Sequence, residues 1–358
     1  MLPDAAFWRG KRVLLTGHTG FKGAWLTLWL HQLGAEVIGV ALAPGGQPNL
    51  YDLASLDRLA QSHLQDVRDA DALGRLVHQV RPEIVLHLAA QALVRSGYEQ
   101  PAVTFSTNVM GTVNLLEAVR LQGQARVVVV VTTDKVYHNR ESVYPYREED
   151  ALGGHDPYSA SKAAAELVAA SYRDAFLTQA GTALATARAG NVVGGGDWAV
   201  DRLLPDAFRA WSTGAVLQVR RPQAVRPWQH VLEPLAAYLV LVERLWQQPK
   251  LAGAYNFGPA SAGTCTVQQL VGVARQAFGS GDSQFHSIDA GPHEATTLTL
   301  EVALARSKLG ITPLWDVARG VQQTMAWYRG FQRGRSARDL CLADLADYEG
   351  SHAAPARH

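Results

Sequence analysis

Val127-Val128-Val129-Val130-Val131 is an unbroken run of five β-branched residues. Their stiff side chains favour extended backbone, and the run has the length of an ordinary strand. A strand without polar alternation is covered on both faces, as in a parallel sheet sandwiched between helices. Parallel neighbours need crossover connections, so strand and helix signals should alternate along the chain.

They alternate through the first half. Arg12 to Thr16 and Glu36 to Val40 read as strands around a helix from Ala24 to Leu33, with Gly34 closing it. Leu64-Gln65 is a short strand candidate, Asp71 to Val80 a helix, and Ile84 to Leu88 a strand. A long helix from Ala102 to Leu121 precedes the valine run. Asp156 caps, and Pro157 opens, a helix to about Gln179, and Ala183 to Arg188 is a further strand. The expected class is α/β: a doubly wound parallel Rossmann sheet with a smaller C-terminal substrate-binding region.

After Asn191 the rhythm gives way to Gly194-Gly195-Gly196 and to Pro205, Pro222, Pro227 and Pro234. Residues 1–190 are therefore expected to form the nucleotide-binding domain, with parts of 228–260 returning to it. Residues 191–345 are expected to form an interleaved substrate-binding region, and 346–358 a flexible tail.

Composition narrows the function classes. The 358 residues are 47% hydrophobic and 18% charged, enough for a sizeable core. Lys plus Arg number 33 against 32 Asp plus Glu, so no polyanion-binding field exists and nucleic acid is not the expected partner. Two cysteines, Cys265 and Cys341, are too few for a disulfide framework or a Cys-rich zinc site, and no metal is expected. The N-terminal residues lack a signal-peptide pattern, and no apolar run approaches the roughly 18 residues of a membrane span. A soluble, cytoplasmic protein is the expectation.

Gly17-His18-Thr19-Gly20-Phe21-Lys22-Gly23 joins the first strand to the first helix. Spaced glycines there allow a tight turn and close approach to a pyrophosphate, and the helix N-terminus offers N–H groups to it. The strand–helix–strand context makes dinucleotide binding the favoured reading over an ordinary glycine turn. The second strand ends in Val40-Ala41-Leu42-Ala43-Pro44, with no carboxylate for a ribose hydroxyl. No Arg or Lys stands between Lys22 and Arg58 to meet a 2′-phosphate, which favours NAD over NADP. Asp66-Val67 suits an adenine contact or a simple helix cap.

Tyr158 and Lys162 are four residues apart on one face of a helix. An ammonium beside a phenol favours phenolate, so the pair suits removal of an alcohol proton. Thr132-Thr133-Asp134-Lys135 follows the valine strand at its carboxyl end, where open α/β sheets place ligands. Thr133 is positioned to hydrogen-bond a substrate oxygen beside Tyr158. Asp134 and Lys135 are an acid and a base in sequence, and both reach one substrate only if the strand has already turned.

These segments, with His87-Leu88-Ala89-Ala90-Gln91, Tyr158-Ser159-Ala160-Ser161-Lys162, Arg188 to Trp198 and Arg226-Pro227-Trp228-Gln229-His230-Val231, resemble the extended short-chain dehydrogenase/reductases. Within them the chain is most similar to the nucleotide-sugar 4,6-dehydratases, in particular those acting on CDP-glucose. Lys135 stands where the dTDP-glucose and GDP-mannose enzymes carry Glu. The resemblance covers residues 7 to about 330.

It implies an internal redox cycle. The sugar C4 is oxidised with NAD as acceptor, water is lost across C5 and C6, and the electrons return to C6. It implies Tyr158, Lys162 and Thr133 at the 4-hydroxyl, Asp134 as acid at O6 and Lys135 as base at C5. Cofactor contacts are implied for Gly17, Thr19, Gly20, Phe21, Lys22, Gly23, Asp66, Val67, Leu88, Ala89, Ala90, Asn108, Tyr158 and Lys162. Substrate contacts are implied for Gln91, Asn191, Arg202, Leu203, Arg226 and His230. A homodimer through the helices from Ala102 and Pro157 is implied too. His18 and His87 read as packing residues.

Overall fold

The computed structural model describes residues 1–259, 264–286 and 297–351. Its centre is a seven-stranded sheet. In chain order the elements are β1 (Arg12–Thr16), α1 (Phe21–Gln32), β2 (Glu36–Ala41), β3 (Gln61–Leu64), α2 (Ala70–Val80) and β4 (Ile84–His87). There follow α3 (Gly111–Gln122), β5 (Val127–Val131), α4 (Pro157–Tyr172), β6 (Ala183–Ala189), α5 (Leu232–Gln247) and β7 (Ala254–Phe257). The spatial order is β7-β6-β5-β4-β1-β2-β3, and every pairing is parallel.

The valine strand shows why. Val127, Val129 and Val131 face one apolar layer with Trp25, Leu26 and Leu239, while Val128 and Val130 face another with Leu73, Leu115 and Leu184. Both layers are apolar and buried, so an alternating strand would have left polar groups unpaired in one of them. α1 and α5 supply the first layer; α2, α3 and α4 supply the second.

The long helix before β5 is continuous in direction but not in pitch. Pro101–Phe105 leads into a π-turn over Ser106–Met110 and then into α3. The extra residue of such a turn turns Asn108 inward, where it is 1% exposed. The third strand is Gln61–Leu64, displaced from the expected Leu64-Gln65 because Ile38 to Ala41 pair with Gln61 to Leu64.

Residues after 190 carry three two-stranded pairings: Val192–Val193 with Gln229–His230, Val216–Val219 with Asp282–Phe285, and Val225–Arg226 with Cys265–Thr266. The helices Leu203–Ser212, Val267–Phe278 and Val317–Gln332 pack among them. A last helix, Ala337–Ser351, corrects the flexible tail expected from residue 346: Leu345 and Tyr348 are each 1% exposed, so apolar burial holds the segment. Residues 352–358 lie outside the described ones.

Candidate active site

A cleft of about 830 Å³ opens at the carboxyl ends of the strands. It lies where β1 and β4 are neighbours and the crossovers depart to opposite sides, the usual ligand site of such sheets. Of the expected residues, Gly17, Thr19, Gly20, Phe21, Lys22, Gly23, Asp66, Val67, Leu88, Ala89 and Ala90 line it. So do Thr133, Asp134, Lys135, Tyr158, Lys162, Asn191, Arg202, Leu203 and Arg226.

The glycine turn has no room for side chains. Gly17 adopts φ +78°, and a Cβ there would stand 2.7 Å from the Ala89 nitrogen. A Cβ on Gly23 would meet the Gly17 oxygen at 2.0 Å. The helix begins at Gly20 without a side-chain cap, leaving its first N–H groups for an anion. This cradle fits a dinucleotide pyrophosphate. Thr16 tightens it from beneath: its hydroxyl accepts from Ala89 N at 3.1 Å and lies 2.7 Å from His87 Nδ1. At the far end Leu42 and Gln65 line the cleft, and the Asp66 carboxylate takes the Arg68 guanidinium at 2.6 Å.

At the other end the chain turns as the chemistry required. β5 stops at Val131, and Asp134–Val136 is a 3-10 turn capped by the Thr133 side chain. Consecutive residues therefore no longer point to opposite sheet faces, and Thr133, Asp134 and Lys135 all reach the cleft. Thr133 Oγ1 donates to Asp134 Oδ1 at 3.0 Å. Asp134 Oδ2 is buried with no hydrogen-bond partner among the described residues. Burial pushes the Asp134 carboxyl above its usual value, with Lys135, Thr133, Arg226 and Lys22 opposing. The direction of that shift is the one a general acid needs.

Tyr158 and Lys162 stand on the first two turns of α4, which Asp156 caps by accepting from Ser159 N at 2.9 Å. Burial pushes the Tyr158 phenol up, and the neighbouring Thr133 hydroxyl opposes it. Lys162 Nζ donates to the Val131 carbonyl at 2.9 Å. Burial brings its ammonium down to about 8, against the raising influence of Glu166. Lys22 is also brought down to about 8, by burial and by the cations Arg202 and Lys162. The glycine turn thus places a second lysine near the Tyr158 end of the cleft.

Three expected site residues lie elsewhere. Asn108 is a brace: it accepts from Gln91 N at 2.8 Å and donates to Ser161 Oγ at 2.8 Å, tying the loop after β4 to α4. Gln91 spends its side chain on internal bonds, donating to Thr104 on the segment Pro101–Phe105 and accepting from Leu93 N. His230 is a core residue, 1% exposed between Trp25 and Trp315, and burial drives its imidazole down to about 3. None of the three lines the cleft, because each is consumed by packing or internal hydrogen bonds.

Other residues went unread in the sequence. Arg95, Asp201, Arg220 and Arg221 line the cleft, and only the Arg220-Arg221-Pro222 run carried a visible signal; Trp228, from the segment Arg226 to Val231, lines it as well. Glu166, eight residues after Tyr158 on α4, accepts from Thr132 Oγ1, Thr186 Oγ1 and Arg188 Nη2 at 2.5, 2.7 and 2.8 Å. Its helical spacing from Lys162 was the clue. Among the described residues no group of three or more His, Cys, Asp or Glu is placed to hold a metal ion, and no helix is long and apolar enough to cross a membrane.

Known proteins bear on this geometry. The model of the GDP-mannose 4,6 dehydratase family matches residues 14–324. A CDP-glucose 4,6-dehydratase of Salmonella typhimurium is 44% identical over 96% of this chain and 98% of its own. A dTDP-glucose 4,6-dehydratase of Streptomyces venezuelae, solved with NAD and TYD bound, superposes with a TM-score of 0.76 at 25% identity, covering 89% of this chain and 97% of that one. A UDP-glucose-4-epimerase of Stenotrophomonas maltophila, solved with NAD, shares the fold at a TM-score of 0.79 and 21% identity over 91% of this chain and all of its own. With its glycine cradle, its Tyr158–Lys162 pair and a match across most of its length, this chain belongs to the GDP-mannose 4,6-dehydratase family.

Proposed function

We propose that this protein dehydrates CDP-D-glucose to CDP-4-keto-6-deoxy-D-glucose with NAD bound in the cleft. The observation that carries the reading is the gathering, at one end of the cleft, of the Tyr158–Lys162 pair with Thr133, Asp134 and Lys135, the Thr133 hydroxyl donating to Asp134. A simple oxidation at C4 needs the first pair; loss of water also needs the acid and the base beside it. The relative in Salmonella supports the choice of CDP-glucose, as does Lys135.

NAD, when bound, supplies the reversible two-electron acceptor that makes C4 a ketone and is restored before product leaves. Gly17, Thr19, Gly20, Phe21, Lys22 and Gly23 would hold its pyrophosphate, and Asp66, Val67, Leu88, Ala89 and Ala90 its adenosine side and flank. Tyr158 removes the 4-hydroxyl proton. Lys162 favours the phenolate through its charge, and Thr133 orients the hydroxyl. The 4-ketone acidifies the C5 proton, which Lys135 removes, while Asp134 protonates the departing O6. Asn191, Arg202, Leu203 and Arg226 take the nucleotide-sugar, the two arginines facing its diphosphate.

Residues 1–190 with the returning α5–β7 segment form the cofactor side, and the rest of 191–345 the substrate side. The reading includes a cytoplasmic homodimer. Its support is the apolar outer face of the helices from Pro101 and Pro157, where Phe105, Met110, Leu167 and Phe176 are each at least 40% exposed. Sedimentation velocity tests it: the expected species is a dimer, and Leu167→Asp should shift it to monomer.

CDP-, GDP-, dTDP- and UDP-linked hexoses offered separately, with mass spectrometry of the products, test the reaction. Loss of one water from CDP-glucose alone is expected. A C4 epimer at unchanged mass would replace the reading with an epimerase, and inertness toward all four would remove it.

A further inference from the structure

We propose that the buried Glu166–Arg188 pair positions the elimination half of the reaction, by gripping the turn from Thr133 to Val136 at both edges and so holding Asp134 and Lys135 in register. The inference rests on the dehydration proposed above. The turn's own bonds are weak. Val136 N reaches the Thr133 carbonyl, and Lys135 N reaches Thr133 Oγ1, at 3.4 Å each. Both are longer than the usual value of about 2.9–3.0 Å.

The firmer grip comes from outside. At the near edge Thr132 Oγ1 donates to Glu166 Oε1 at 2.5 Å. At the far edge Arg188 Nη1 donates to the Tyr137 hydroxyl at 2.9 Å, and its guanidinium lies 5.1 Å from the centre of that ring. Between the two grips stand only Thr133, Asp134, Lys135 and Val136. Arg188 Nη2 donates to Glu166 Oε2 at 2.8 Å and closes the circuit. The same carboxylate oxygen takes Thr186 Oγ1 at 2.7 Å, and Thr132 N donates to the Ala187 carbonyl at 2.9 Å. Turn and β6 thus share one frame. β6 also backs the acid, since Asp134 Oδ2 lies 3.1 Å from where a Cβ on Gly190 would stand. Thr132, Tyr137, Glu166 and Arg188 are each at most 5% exposed, so water does not compete for these bonds.

The oxidation half has its own anchors. Tyr158 and Lys162 stand on α4, fixed by the Asp156 cap and by the bond from Lys162 to the Val131 carbonyl, each 2.9 Å long. Neither anchor uses Thr132 or Tyr137. Thr133 lies within the turn, so loosening an edge should slow oxidation a little and elimination far more. A catalytic group displaced by about 1 Å can cost on the order of 10²-fold in rate. Asp134 and Lys135 bear that loss, leaving a ketone formed and its water unexpelled.

Replacing Glu166 or Arg188 strands a buried charge, so the test cuts the outer bonds instead. Tyr137→Phe removes the far grip and Thr132→Val the near one, and both leave the ion pair in place. The NAD-loaded enzyme is mixed with CDP-glucose. Reduced nicotinamide is followed in the near ultraviolet, and quenched samples go to mass spectrometry. Oxidation should stay within about threefold of the parent rate, while water loss slows by on the order of tenfold to 10²-fold. Reduced nicotinamide should then accumulate beside a sugar nucleotide lighter by one hydrogen molecule. Thr132→Ser restores the near grip and should restore water loss. Equal slowing of the two steps would overturn the proposal, as would parent-rate water loss in both variants or no recovery in Thr132→Ser. Absence of water loss by the unsubstituted enzyme would instead remove the dehydration, and this inference with it.

Discussion

The Glu166 carboxylate and the Arg188 guanidinium pair at 2.8 Å with their side chains 3% and 4% exposed, directly beneath the turn that carries Thr133. Thr132 and Thr186 satisfy the remaining carboxylate sites, and Arg188 reaches on to the Tyr137 hydroxyl at 2.9 Å. A buried pair gives little net stability, but removing one partner strands the other charge. Glu166→Ala should therefore cost about 3–5 kcal/mol in urea unfolding. Glu166→Leu combined with Arg188→Met should recover most of that loss, and a double variant as unstable as the single would contradict it.

Lys162 ties activity to pH. Its ammonium titrates at about 8, lowered by burial, and only the charged form favours the Tyr158 phenolate. The maximal rate should fall on the alkaline side with an apparent pKa near 8. Lys162→Arg retains a charge that does not titrate there, so whatever activity it keeps should lose that alkaline limb. A limb unmoved in the arginine variant would assign it to another group.

Lys135→Met separates the two halves of the proposed chemistry. Tyr158, Lys162 and Thr133 remain, so oxidation at C4 should still appear as near-ultraviolet absorbance of reduced nicotinamide. Loss of water should drop by about 10²-fold or more, the usual worth of a general base. Normal turnover in this variant would reject Lys135 as the C5 base.

His230 gives a prediction about acid stability. Burial lowers its folded pKa to about 3 from the ordinary 6.5, so below pH 6.5 the unfolded chain binds a proton that the native state does not. Stability attributable to this site is full above pH 6.5 and is lost as pH falls toward about 3. His230→Phe fits the ring site beside Trp25 and Trp315 and does not titrate. The variant should gain on the parent by up to about 1.4 kcal/mol per pH unit between pH 6 and 4, measured by urea unfolding. A constant difference across that range would count against the neutral imidazole.

The fold was legible because its signals were local. Five valines in a row declare a two-sided strand, and Gly17 and Gly23 declare a turn in which a Cβ has no room. The end of the cleft proposed as catalytic was pointed to by the Tyr158–Lys162 spacing, while the turn that brings Asp134 and Lys135 together was only a requirement until β5 was seen to stop at Val131. Polar residues near a site proved hardest to read. Asn108, Gln91 and His230 sit in the right segments, but a π-turn, a loop bond and an aromatic box claim them. Sequence names a side chain without saying which partner takes it. Conversely, Glu166 supports the site from beneath, and Arg95 arrives from a segment whose placement only tertiary packing decides.

β7 lies beside β6 at the border of the sheet, although Ala254–Phe257 follows β6 by more than sixty positions in the chain. During synthesis the glycine cradle and the catalytic helix emerge long before this last strand does. A ribosome-bound intermediate then presents β6 as an open border, rich in unpaired N–H and C=O groups and inviting to foreign strands. Closing that border late places the nascent chain's most aggregation-prone interval between the emergence of residues 189 and 257.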